Sequence, residues 1–185
     1  MATIRPFMGI RPAPEYAKDV AALPYDVMNT EEAREMVKGN PYSFLHIDRA
    51  EIDLPVGTDP YSPAVYEKAR DTFYEQLDKG IFTQDLLPNL YIYRLTMDGR
   101  SQTGLVVCTA IDEYLNDTIK KHELTRADKE ADRIRHVDTL NANTGPIFLA
   151  YKENAEAKAI IDGYTAAVPP VSVSYTHLTL PTNSR

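Results

Sequence analysis

The stretch from Ser62 to Gly80 reads SPAVYEKARDTFYEQLDKG, and its reading decides the fold class. Proline at the first helical position has no N–H to leave unsatisfied, so Ser62-Pro63 suits a helix start. Val65, Ala69, Phe73 and Leu77 then recur one turn apart, and Gly80 supplies the stop. A helix with a single apolar stripe must cover it with a sheet or another helix. The flanking sequence offers both. Downstream, LYIYRLTMDGRSQTGLVVCTAI (residues 90–111) alternates β-formers around Asp98-Gly99, a strong hairpin-turn signal, and predicts two antiparallel strands with Cys108 packed inside. Upstream, RPFMGIRPAP carries three prolines and reads as strand and loop. Asn29 and Glu32 form a capping-box pair before EEAREMVK, a helix ended by Gly39. YSFLHID (42–48) is rich in β-formers and predicts a strand, and LPVGTDPYSP is turn chemistry.

Beyond the hairpin, IKKHELTRADKEADRIRH (119–136) predicts a helix capped by Thr125 with Asp128 three residues on. Ala127, Ala131, Ile134 and Val137 are its apolar stripe, and NTGP is its stop. PIFLAY (146–151) predicts a buried strand and ENAEAKAIIDGY a last helix. The sum is an α/β fold with a mixed or antiparallel sheet and flanking helices.

Composition narrows the function classes. The chain has 185 residues, 43% hydrophobic and 25% charged, enough for a packed core. No apolar run approaches the roughly 18 residues a membrane span needs. Cys108 is the only cysteine, and with no secretory pattern at the start the expectation is a reducing cytoplasm. A net charge of -7 with no basic run argues against nucleic acid and for a small polar substrate.

The candidate chemistry gathers at one loop-to-helix junction. Zinc fails, because the position four residues after His122 is Arg126 where a metalloprotease helix needs a second histidine, and no other metal-ligand spacing occurs. Neither glycine-rich phosphate loop is present. What remains is His122, Glu123, Thr125, Arg126, Lys129, Asp132 and Arg133. A helix N-terminus receives an anion, and a carboxylate beside it can take a hydroxyl proton. The competing reading makes Lys129, Asp132, Arg133 and His136 the wet face of an ordinary amphipathic helix.

Four strings, LPYDVMNTEEARE, NPYSFLHIDRAEIDLP, YEKARDTFYEQLDKG and IKKHELTRADKEADRIRHVDTLNANTGPIFLAY, resemble the bacterial family known as domain of unknown function 1015 over Ile4 to Tyr164. Intact members are longer, with a later Asp-Gly-His-His-Arg motif that this chain lacks, so the resemblance implies a fold incomplete at its C-terminus. His-Glu before a helix also resembles the ParB/sulfiredoxin superfamily and its free-serine kinases. That likeness implies a ParB/sulfiredoxin-like fold and, in the full-length parent, nucleotide-dependent phosphorylation of a small hydroxyl compound such as serine, using ATP or ADP with Mg2+, an activity the fragment alone need not retain. Glu123 would be the base with His122 beside it, Arg126, Lys129 and Arg133 would hold phosphate or substrate, and Asp26 of Leu23-Pro24-Tyr25-Asp26-Val27 would be a second candidate. The alternatives are a non-catalytic ParB-like ligand- or nucleotide-binding module and a protein-interaction scaffold. Val173–Asn183, VSYTHLTLPTN, is similar to a translated DNA-library adapter. Residues 1–170 are therefore read as the N-terminal part of the family domain and 173–185 as a non-native tail.

Overall fold

Prolines 6, 12 and 14 keep the start of the chain extended. The computed structural model, which describes residues 2–122 and 125–170, places two short strands there, β1 (Ile4–Arg5) and β2 (Ile10–Pro12). Next come helical turn α1 (Ala17–Val20), helix α2 (Thr30–Met36), helical turn α3 (Leu45–Asp48) and a 3-10 turn at Ala50–Asp53. They lead into α4 (Pro63–Asp78). Strands β3 (Phe82–Gln84), β4 (Tyr91–Met97), β5 (Arg100–Val106) and β6 (Cys108–Thr109) precede helices α5 (Ile111–Leu115), α6 (Ala127–Leu140) and α7 (Ala155–Ala167). Glu123 and the tail at 173–185 lie outside the described residues.

The chain is α/β with antiparallel pairing throughout the described strands, as expected, but in place of one flanked sheet there are three two-stranded ribbons. β1 pairs with β6, β2 with β3, and β4 with β5. Among the described residues no helix is long and apolar enough to cross a membrane.

Helix α4 is the hub. Val65, Ala69 and Phe73 are buried with Val20, Ile47, Ile81, Phe82 and Leu140 around them, and a fully buried valine or phenylalanine contributes about 1.5–3 kcal/mol. Its end is a Schellman turn: Ile81 N–H reaches Gln76 O and Gly80 N–H reaches Leu77 O, with Gly80 at φ +73°. The β4–β5 hairpin turns through Asp98 and Gly99, both at positive φ, which gives the primed turn whose twist matches the strands. Strand β4 is anchored to the N-terminal segment by Tyr91, whose hydroxyl accepts from Gly9 N–H at 2.6 Å and donates to Asp85.

Four expectations are corrected. Residues 42–48 form no strand, because Leu45 and Ile47 serve two different apolar clusters, Leu45 with Met28, Ala33 and Ile52 and Ile47 with the α4 cluster. In a strand, residues two apart point the same way, whereas in a helical turn they point to nearly opposite sides. PIFLAY is neither buried nor a strand: Ile147 and Phe148 are exposed, and no described strand pairs with the segment. Cys108 is exposed, since the β1–β6 ribbon is only two residues long and its β1 partners are exposed too. The last correction concerns α6. Its expected stripe faces outward, with Ala127 and Ala131 exposed and Ile134 54% exposed, while Asp132, His136 and Leu140 face the core.

Candidate functional site

The segment before α6 is tethered by Lys121, which pairs with Asp117 at 3.2 Å and lies 4.8 Å over the Tyr114 ring. His122 follows it as an exposed residue outside any regular element. The N-cap of α6 is Arg126, without a side-chain capping bond, so Thr125 does not cap the helix. Asp128 occupies the first turn instead. Its carboxylate takes hydrogen bonds from Arg126 at 2.7 and 3.2 Å, and its pKa is held below the ordinary carboxylate value by Arg126 first and then by backbone N–H groups including that of Lys129. The anion place at this helix start is thus partly taken by the helix's own residue.

The next turns carry the interactions that join α6 to the body. Lys129 Nζ donates to the Tyr61 hydroxyl at 3.0 Å, and this bond raises its pKa. Arg133 pairs with Asp132 at 2.9 Å and lies 4.4 Å over the ring of Tyr25. Asp132 is 8% exposed and accepts from the Tyr66 hydroxyl at 2.8 Å. Burial first, and Asp132 second, push the Tyr66 pKa up to about 12, so the phenol stays protonated and keeps donating. One turn further, His136 donates from Nε2 to Ile47 O at 3.1 Å, while its buried Nδ1 has no partner among the described residues. The reason for the inverted face is now plain. The surface opposite α6 presents a phenol and a carbonyl, and two buried polar partners outweigh a stripe half made of alanine.

Next to His136, burial raises the pKa of Asp48, which accepts from Thr144 at 2.9 Å. Burial lowers that of His136. Between α4 and α6, a shallow cleft of about 440 Å3 is lined by Tyr61, Tyr66, Arg70, Arg135 and Thr139. A smaller depression of about 230 Å3 at Lys18, Asp19, Met36 and Asn40 includes no α6 residue. Among the described residues no three His, Cys, Asp or Glu side chains converge for a metal ion.

The structure brings some of the expected site residues together. Lys129 and Arg133 stand one turn apart on α6. The loop holding Asp26 meets them through Tyr25, whose ring covers the Arg133 guanidinium. Asp26 is exposed and is not a helix cap, since Asn29 caps α2. Arg126 is turned to Asp128, His122 is exposed, and Glu123 falls outside the described residues. Sequence reasoning missed Tyr25, Tyr61 and Tyr66. Twelve tyrosines and no tryptophan were the available signal, since tyrosine pairs an aromatic body with a polar tip.

Fold and site together define a small α/β protein in which basic turns of one helix are backed by tyrosines from two other segments. The chain belongs to the family of proteins of unknown function DUF1015, whose model matches residues 4–177. No curated protein and no solved structure matches it.

Proposed function

We propose that the junction from His122 into α6 is a phosphoryl-transfer site in the ParB/sulfiredoxin manner, acting on a small hydroxyl compound such as free serine. ATP or ADP carried with Mg2+ is the donor. Glu123 takes the hydroxyl proton, the oxygen attacks the terminal phosphorus, and the nucleotide leaves one phosphate shorter. Lys129 and Arg133 offer cations to the transferring group, with Arg126 available once it leaves Asp128. The observation that carries this reading is the meeting of Arg133 with Tyr25, at 4.4 Å, which unites the α6 cations with the Asp26 loop.

Glu123→Gln keeps size and removes the basic lone pair. With serine, nucleotide and Mg2+, its turnover falls roughly two to four orders of magnitude below that of the wild type while its circular dichroism stays the same. Equal turnover, or no phosphorylation of any small hydroxyl compound by the wild type, refutes the proposal. The second reading, a non-catalytic ligand-binding module, is favoured by one observation: Arg126 and Asp128 satisfy each other at the helix start. Nucleotide binding without transfer would select it.

A further inference from the structure

Arg49 lies between α3 and the 3-10 turn, with its side chain 16% exposed. Among the described residues it makes no hydrogen bond or ion pair with α6, yet it ties down the loop that α6 meets. One terminal nitrogen donates to Tyr25 O at 2.9 Å and Met28 O at 3.0 Å, and the other to Thr30 Oγ1 at 2.9 Å. Nε lies 2.8 Å from Glu51 Oε1 but off the N–H axis, so that contact is ionic and not a hydrogen bond. Glu51 is 5% exposed, accepts from Thr30 at 3.3 Å, and gives its backbone carbonyl to Arg34 at 3.0 Å. A planar fork with donors at fixed angles can bridge two carbonyls and a hydroxyl at once; a lysine ammonium on a flexible stem cannot hold the same three acceptors.

We infer that Arg49 is the positioning residue of the candidate site: it fixes residues 25–30 from beneath, so that the Tyr25 ring covers Arg133 and Asp26 is held in the loop beside the basic turns of α6. The use of that placement in phosphoryl transfer rests on the function proposed above; the placement itself is tested without any substrate. Tyrosines are replaced by 3-fluorotyrosine and the Tyr25 fluorine resonance is assigned with Tyr25→Phe. Arg133→Gln removes the stacked cation and marks where the uncovered ring resonates. In Arg49→Lys the Tyr25 signal shifts toward that position, while Tyr74, on α4 and bonded to Leu140 O, keeps its own. Thr30→Val, which deletes one of the three acceptors of Arg49 together with the Thr30 bond to Glu51, gives a smaller shift in the same direction and serves if Arg49→Lys fails to fold. An unmoved Tyr25 signal in the folded variants overturns the inference, and so does a shift shared by Tyr74, which would make Arg49 a general stabiliser. Absence of phosphotransfer by the wild type removes the proposed function and leaves the Tyr25 signal to decide on Arg49 alone.

Discussion

His136, one of the α6 residues that the competing sequence reading put on the wet face, is buried at a cost. It is 3% exposed, and its Nε2 proton is committed to Ile47 O, so Nδ1 is the bare nitrogen and protonating it would put a charge in the interior. Burial therefore holds its pKa below the ordinary 6.5. Between that folded value and 6.5 the unfolded chain binds the extra proton and the folded chain does not, so stability falls as pH drops through this window. His46 has the opposite sign. Its Nδ1 donates to Asp53 at 2.9 Å, which raises its pKa, and its contribution is complete below 6.5 and fades as pH climbs through the raised value. Asp48, raised by burial, adds stability on the acid side and loses it as pH rises through its folded value. His136→Gln keeps a donor for Ile47 O but cannot titrate. Urea unfolding at a series of pH values is therefore expected to show a shallower loss of stability below pH 6.5 in the variant than in the wild type, with the limb above 6.5 unchanged. An acid limb of equal slope in both would show that His136 does not titrate differently on folding.

At the scale of elements, local signals and tertiary demands divide cleanly. Asn29 accepts from Glu32 N–H at 3.0 Å while the Glu32 side chain accepts from Asn29 N–H at 2.8 Å, a reciprocal capping box. Asn29→Ala is expected to cost about 1 kcal/mol in chemical unfolding, and a change near zero would mean the box is not formed in solution. Such features were legible because their signals are local: the Asn29–Glu32 box, the Ser62-Pro63 start and the Gly80 stop of α4, and Asp98-Gly99. What was illegible depends on partners far along the chain. The helical turn at Leu45–Asp48 exists because two clusters need Leu45 and Ile47 on opposite sides. The face of α6 is chosen by Tyr66 and Ile47, which are 66 and 89 residues from their bonding partners. Of the candidate site, Lys129 and Arg133 could be picked out as cations one turn apart, but their tyrosine backing could not, because Tyr25 and Tyr61 come from separate loops.

For the whole molecule, α6 is the joint between core and site. Leu140 enters the α4 cluster and Tyr74 donates to its carbonyl at 3.1 Å, while Lys129 and Arg133 on earlier turns of the same helix meet Tyr61 and Tyr25. Arg49 then links that loop back to the buried Glu51, so one chain of contacts runs from the hydrophobic centre to the basic turns. All of it depends on which face of α6 is inward. In a Cys108→Ser background, which removes the exposed native thiol, Ile134→Cys and Leu140→Cys place one cysteine on each face. Maleimide labelling of the native protein is expected to be fast at 134, where the parent residue is 54% exposed, and at least about tenfold slower at 140, where it is 0% exposed and reaction waits on local opening. Protection at 134 with ready labelling at 140 is the arrangement the apolar stripe of the sequence suggests, and that result would contradict the account.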